Sequence, residues 1–213
     1  TAFRWSLDQW IYFGGYPGAA AFVREQARWR SFVADSLVEA VLSRDVLQMA
    51  PVQKPALLRQ LFMLAVRSPA QVLSFNKMLG QLQDAGNTVT LAHYLDLLSS
   101  AFLVSGLERW NGGALRGRAS SPKLVVWNNA IVNALSGLSF AETLRQPDWW
   151  GRLVENAVGA PLLNHGLSRA TFYWQEAHAE VDYVVERGRN LTAFEVKSGR
   201  TSTSQSLDVF RRR

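Results

Sequence analysis

The chain has 213 residues, 48% of them hydrophobic and 19% charged, a globular composition that fits one large domain or two small ones. It contains no cysteine, which excludes disulfides, thiolate metal sites and cysteine nucleophiles and agrees with a cytoplasmic protein, and no apolar run is long enough to span a membrane. The net charge of +6 favours a polyanion such as nucleic acid as a partner.

The N-terminal half of the chain has a helical pattern. Apolar side chains recur at helical spacing in residues 18–48 and again in residues 57–65. Ser74 predicts the start of a short helix, and Thr88 predicts the cap of a longer helix that follows a turn at residues 84–87. A helix, a short turn and a second helix are the outline of a helix-turn-helix.

Two β-like runs, residues 102–107 and 123–127, follow this outline and are separated by a basic, glycine-rich stretch. Their order resembles a winged helix with a long wing. Basic side chains surround an aromatic one there, which suits contact with a nucleic-acid backbone and stacking on a base. The residues of this predicted basic patch are Arg109, Trp110, Arg116, Arg118 and Lys123. A solvated loop is the alternative, and the second helix offers no Arg or Lys that could read DNA.

The last third of the chain alternates between helix and strand. Residues 148–165 predict a helix that ends at Gly166. Strands are then predicted at residues 171–174, 180–186 and 191–197. A turn at residues 187–190 joins the last two strands as a β-hairpin, and residues 205–213 begin a further helix.

Carboxylates and a lysine lie on this hairpin. Side chains alternate along a strand, so Glu195 and Lys197 share one face, and the hairpin brings Asp182 alongside. Neighbouring carboxylates repel each other, and Mg²⁺ or Mn²⁺ held by Asp182, Glu195 and the carbonyl of Val196 would neutralise them. Lys197 would then orient the attacking water or steady charge on a phosphoryl group, and Glu155 on the preceding helix could lean toward the metal. The alternative is an ordinary solvated strand face.

Short sequence blocks resemble the C-terminal domain of a family of prokaryotic AAA+ ATPases, a domain of unknown function with a PD-(D/E)XK nuclease-like fold. The most specific blocks are GRLVEN at residues 151–156 and FEVKSG at residues 194–199. Others extend the resemblance over nearly the whole chain, at residues 14–17, 74–78, 94–98, 122–124, 173–174 and 180–184.

The resemblance implies a nuclease-like signature made of Glu155, Asp182, Glu195 and Lys197. It also implies a winged-helix segment and, in full-length members, a P-loop ATPase domain ahead of this region. The chain has no GxxxxGK[ST] motif, so no ATP site is expected in it. It departs from the family at Asn128 and Asn129, where an aspartate is favoured, and it stops before the final strand and helix of the domain.

We therefore predict an α+β, multidomain chain. Residues 1–110 form a helical region with a winged helix-turn-helix, and residues 111–213 form an α/β PD-(D/E)XK nuclease-like half that is truncated at its C-terminus. The predicted function is Mg²⁺-dependent phosphodiester hydrolysis on DNA, in a fragment of an AAA+ ATPase. Two alternatives stay open: a non-catalytic module that binds nucleic acid or protein for the ATPase domain, and a scaffold whose acidic cluster is structural. Either monomers or homo-oligomers fit the sequence.

Overall fold

Helices form the N-terminal half of the chain, as the apolar spacing predicts. The structure, a computed structural model, describes residues 4–83, 86–112, 121–167, 170–199 and 205–212. The helices of this half are α1 (Leu7–Phe13), α2 (Pro17–Ala20), α3 (Gln26–Ser31), α4 (Val46–Met49), α5 (Pro55–Arg67), α6 (Phe75–Leu79) and α7 (Thr88–Ser100). Two π-helical segments, Phe32–Glu39 and Val41–Asp45, connect α3 to α4.

The structure corrects two details of this half. The predicted helical stretch of residues 18–48 is interrupted by a turn at residues 21–25, because the Phe22 ring folds back onto the Phe32 ring, with 5.2 Å between centroids. Apolar spacing alone does not reveal such a turn. The cap of α7 is Asn87, whose side chain accepts a hydrogen bond from the Thr90 amide, and the helix begins one residue later.

A pair of antiparallel strands follows α7, as predicted. They are β1 (Val104–Leu107) and β2 (Lys123–Val126), and their register pairs Val104 with Val126 and Leu107 with Lys123. Residues 70–73 bond to the other edge of β2, including a bridge between Val72 and Lys123. β2 therefore has backbone partners on both edges, and all four of its residues are buried.

The remaining elements form an α/β region. Its helices and strands are α8 (Asn129–Ser136), α9 (Phe140–Leu144), α10 (Pro147–Leu162), β3 (Thr171–Glu176), β4 (Ala179–Arg187), β5 (Asn190–Phe194) and α11 (Gln205–Arg211). The three strands form an antiparallel sheet in the order β3-β4-β5. The pairing of Arg187 with Asn190 confirms the predicted hairpin turn.

The last strand ends three residues earlier than the sequence predicts. β5 stops at Phe194, whereas the predicted strand continued to Lys197. The amide of Val196 donates to Oδ2 of Asp182 at 2.7 Å. This side-chain bond leaves the amide of Val196 outside the ladder between β4 and β5.

Close packing places α10 directly over β4. A Cβ on Gly159 would lie 2.5 Å from the hydroxyl of Tyr183, so the helix approaches the sheet where only glycine fits. The same hydroxyl donates to the backbone carbonyl of Glu155 at 2.9 Å. These contacts fix Glu155 above β4.

Backbone pairing also joins the two predicted domains. The hairpin of β1 and β2 spans position 110, where the sequence placed the boundary. The amide of Trp110 donates to the carbonyl of Tyr173 on β3 at 2.7 Å, so the chain after β1 extends along the second sheet. In the described part of the chain, no helix has both the length and the apolarity needed to cross a membrane.

Candidate functional site: a buried lysine among three carboxylates

Glu155 and Asp182, two of the predicted site residues, meet between α10 and β4. Their side chains are only 21% and 14% exposed, and the two carboxyl groups are close enough to hydrogen-bond to each other. Glu180 lies two residues before Asp182 and therefore on the same face of β4. Two like charges in so little solvent require a compensating cation or a shared proton.

Lys123 supplies that cation. Its side chain is 0% exposed, and its Nζ forms a salt bridge with Oε1 of Glu155. The same Nζ lies 3.2 Å from both Oδ1 and the backbone oxygen of Asp182 and 3.7 Å from Oε1 of Glu180. It also lies 5.1 Å from the centre of the Tyr183 ring. An ammonium group has three protons, and these partners satisfy all of them.

This position corrects the sequence prediction for Lys123, which placed it in an exposed basic patch. The reason is the setting of β2, which is buried on both faces and paired on both edges. A charged side chain that starts there must find opposite charges inside the protein, since an unpaired buried charge is strongly unfavourable. Lys123 therefore cannot contact a nucleic acid in this structure.

Glu155 holds its proton more tightly than an ordinary glutamate. Burial raises its pKa to about 7, and the neighbouring Asp182 carboxylate adds to the increase, while Lys123 opposes it. Burial also raises the pKa of the Tyr183 hydroxyl well above its ordinary value, with further contributions from Glu155 and Asp182. Near neutral pH, one ammonium group and a partly retained proton together compensate the two innermost carboxylates.

Glu195 and Lys197 form a second pair at the edge of this centre. Their side chains lie on the same side, as predicted, with Oε1 of Glu195 2.5 Å from Nζ of Lys197. Glu195 is 11% exposed, whereas Lys197 is 48% exposed, and the hydrogen bond to Glu195 raises the pKa of Lys197. Oε2 of Glu195 is buried and has no hydrogen-bond partner among the described residues.

The metal site at Asp182, Glu195 and the carbonyl of Val196 stays a prediction. Among the described residues, no three His, Cys, Asp or Glu side chains converge in a way that could hold a metal ion. Both carboxylate oxygens of Asp182 are already occupied, one by Lys123 and the other by the amide of Val196. The cation between Glu155 and Asp182 is therefore a side chain of the protein itself.

The structure divides the predicted basic patch. Arg109 is exposed, whereas Trp110 is half-buried and packs edge-on against Phe210 of α11, with 5.3 Å between ring centroids. Nε1 of Trp110 is buried without a partner among the described residues, so this ring packs within the protein. Arg116 and Arg118 lie outside the described residues.

Two residues that the structure places in or beside the carboxylate cluster were not assigned to it by the sequence analysis. One is Lys123 itself, whose signal is a lone lysine at the start of the apolar run of residues 124–127. The other is Asn156, which is fully buried and bonds both the amide and the carbonyl of Val126, at 2.9 and 2.8 Å. It also donates to Oδ1 of Asn129 at 2.7 Å. This amide fastens α10 to β2, so that Glu155 faces Lys123.

Comparison with known proteins gives families without an assigned activity. Residues 4–142 match the family described as domain of unknown function DUF8612, and residues 150–213 match domain of unknown function DUF4143, which commonly accompanies AAA-type ATPases. Uncharacterized proteins of Mycobacterium bovis and Mycobacterium tuberculosis are each 26% identical over 193 residues, which is 89% of this chain and 42% of theirs. The chain thus spans less than half the length of these curated relatives.

No solved structure is significantly similar to the chain. Neither family description mentions a winged helix or a nuclease, so both assignments stay predictions. The mixed α+β architecture and the match to a family associated with AAA-type ATPases agree with the coarser part of the sequence analysis. Because the first match covers more than half of its residues, the chain belongs to the DUF8612 family.

Proposed function

We propose that the chain is a non-catalytic region that binds nucleic acid in the service of an AAA-type ATPase. The observation that carries the binding proposal is the contact between Trp110 and Phe210, which joins segments about 100 residues apart in sequence. The contact packs the segment that carries exposed Arg109 against the helix that ends with exposed Arg211, followed by exposed Arg212. These three arginines are called the arginine surface below.

Several features support a polyanion as the ligand of this surface. The chain carries a net charge of +6, and guanidinium groups bind phosphate oxygens in a bidentate manner. Phosphate contacts of this kind are independent of base sequence and weaken with salt. The proposed ligand is therefore the phosphate backbone of DNA or RNA.

The order of the elements supports a winged-helix interpretation of α5 to β2. A short helix, a turn, the longer α7 and an antiparallel hairpin follow one another, with Val72 bridging the hairpin. The exposed face of α7 presents Val89, His93 and Asp96 and carries no Arg or Lys that could pair with phosphate. The arginine surface, and not α7, is the proposed contact.

The order α10-β3-β4-β5-α11, with the acidic residues on its helix and hairpin, supports a nuclease-like interpretation of the α/β region. Lys123 argues against catalysis by it. A fully buried ammonium group bound to Oε1 of Glu155 and Oδ1 of Asp182 already supplies the positive charge that a metal ion would bring to these carboxylates. We include an AAA-type ATPase in the proposal because residues 150–213 match a family associated with such ATPases.

A second candidate function is Mg²⁺-dependent phosphodiester hydrolysis. The observation in its favour is Oε2 of Glu195, a buried carboxylate oxygen without a partner among the described residues, beside the half-exposed Lys197. Such an oxygen is a ligand that Mg²⁺ prefers. This candidate requires Lys123 to leave Glu155 and Asp182.

The test is fluorescence anisotropy with labelled double-stranded DNA, single-stranded DNA and RNA of one sequence, at several salt concentrations. The variant R109A/R211A/R212A should bind at least about tenfold more weakly, with a salt slope smaller by about three. The matched control, R24A/R44A/R145A, removes three exposed arginines elsewhere and should stay within about twofold of wild type. Absence of polyanion binding by the wild type, or equal losses in both variants, would overturn the proposal.

A cleavage assay on the same three substrates with Mg²⁺ and Mn²⁺ separates the two candidates. The non-catalytic proposal predicts intact substrates after prolonged incubation at protein excess. Cutting that disappears in Glu195→Gln would replace it by the second candidate.

A further inference from the structure

We propose that Lys123 is the built-in cation of the carboxylate cluster and that it excludes divalent metal ions from the cluster. A site of this residue composition would ordinarily be expected to take Mg²⁺ or Mn²⁺ through oxygen ligands. In this chain, the ammonium group of Lys123 occupies the position between Glu155 and Asp182. The inference does not depend on nucleic-acid binding, which uses other residues.

The contacts of Lys123 resemble those of a bound ion. Oxygen atoms come from two side chains, Glu155 and Asp182, and from the backbone carbonyl of Asp182, and a third carboxylate, Glu180, lies 3.7 Å away. The lysine approaches from β2, on the side away from α11, and its side chain has no solvent exposure. Every acceptor around the ammonium group is thus an oxygen of the protein.

Exclusion follows from charge and from occupancy. A divalent ion between Glu155 and Asp182 would lie within a few ångströms of the Lys123 ammonium group, where the dielectric screening of bulk water is lost and like charges repel strongly. The second oxygen of Asp182 is held by the amide of Val196. An ion could take this position only after the Lys123 side chain had moved away from Glu155 and Asp182.

The same contacts join the two regions that the family matches distinguish. Lys123 lies within residues 4–142, whereas Glu155, Glu180 and Asp182 lie within residues 150–213. The ion pairs therefore cross between the two matched segments. The cluster therefore also connects the two matched segments.

The principal test is titration of Mn²⁺ alone into the 213-residue chain, followed by calorimetry and by electron paramagnetic resonance of the free ion. Lys123→Met, which keeps the length of the side chain and removes its charge, should bind Mn²⁺ at least about tenfold more tightly than wild type. Lys197→Met is the matched control, because it removes the half-exposed lysine beside Glu195, and it should show no gain. K123M/D182N should lose the gain, since it also removes a ligand charge.

A second measurement on the wild type keeps the proposal falsifiable if K123M does not fold. The chain has four lysines, Lys54, Lys77, Lys123 and Lys197. A buried, hydrogen-bonded ammonium group exchanges its protons slowly and should give a ¹⁵N-resolved NMR signal near neutral pH. The signal should remain in K54R/K77R/K197R and should be unchanged by millimolar Mg²⁺.

Three results would overturn the proposal. They are Mn²⁺ binding by wild type as tight as by K123M, no gain of binding in a folded K123M, and no protected ammonium signal in wild type. Displacement of that signal by Mg²⁺ would have the same consequence. Absence of nucleic-acid binding by the wild type, or equal losses in the two arginine variants, would overturn the proposed function and leave this inference untouched, so the two proposals can fail separately.

Discussion

Two ion pairs between a basic side chain and a glutamate occupy opposite environments in this protein. Arg59 on α5 and Glu39 form a two-bond pair at 2.5 and 2.7 Å, with side chains 43% and 50% exposed. Lys123 and Glu155 also pair closely, but Lys123 has no exposure at all. Both pairs exchange their bonds for bonds to water on unfolding. Removal of one partner from the folded protein differs, because water replaces it in the exposed pair, whereas in the buried pair a charge is left without a counterion.

Short, well-aligned hydrogen bonds therefore do not indicate how much free energy of unfolding is lost when one partner of an ion pair is removed. Arg59 and Glu39 have the better geometry, and we expect them to matter least. Lys123 is expected to matter most, because its removal leaves buried carboxylates without a cation. Four substitutions test this ranking, and their expected effects decrease from Lys123→Met to Arg59→Ala.

Lys123→Met should give the largest effect. It removes the ammonium group and leaves Glu155 and Asp182 facing each other in a buried space, so the free energy of unfolding should fall by about 3–5 kcal/mol. Urea unfolding followed by circular dichroism at pH 7.5 measures the change. A loss below about 1 kcal/mol would show that Lys123 does not neutralise the buried carboxylates of Glu155 and Asp182.

Asn156→Ala should come next. It removes the bonds to both backbone groups of Val126 and to Asn129, all buried, and should cost about 2–4 kcal/mol. The control is Asn164→Ala in the π-helical segment Leu163–Leu167, where the exposed side chain donates to the carbonyls of Trp127 and Ala160 and water can take its place. Equal losses in the two variants would contradict the role given to Asn156.

Glu155→Gln should change how the free energy of unfolding depends on pH. The folded protein holds the Glu155 proton up to a pKa of about 7, above the ordinary value of 4.5, so this residue favours folding most below pH 4.5. Its contribution should fall by about 2 kcal/mol as pH rises from 4.5 to 7, because the folded state then binds more protons than the unfolded one. Unfolding of both proteins at pH 5 and pH 8 tests this, and an unchanged difference between them would refute it.

Arg59→Ala should have the smallest effect. Its partner Glu39 is half exposed, so the loss should be less than about 1 kcal/mol, and it should shrink further in high salt. The lowered pKa of Glu39, due mainly to its hydrogen bond with Arg59, should return toward its ordinary value. A loss as large as that of Lys123→Met would invalidate the comparison.

The sequence predicted the order of elements better than their contacts. Periodicity and turn residues located α7, the hairpin of β4 and β5, and α11, because these signals are local. The predicted end of β5 was wrong because the strand end depends on the hydrogen bond between Val196 and Asp182, which are 14 residues apart in sequence. Local patterns carry no information on such contacts.

The site was predicted in part for the same reason. The convergence of Glu155 with Asp182, and of Glu195 with Lys197, follows from strand alternation and from the family resemblance. The cation was not found, because Lys123 belongs to a different hairpin, 32 positions before Glu155. Its burial is decided by strand pairing on both edges of β2, which no local pattern shows.

The most direct test of the Lys123 assignment is a crystal structure of the wild-type chain grown and soaked with Mn²⁺, with data collected at the manganese absorption edge. We expect Nζ of Lys123 in contact with Glu155 and Asp182 and no anomalous peak between these carboxylates. A manganese peak bound by Asp182 and Glu195, with the Lys123 side chain turned away, would contradict it and restore the metal-dependent enzyme.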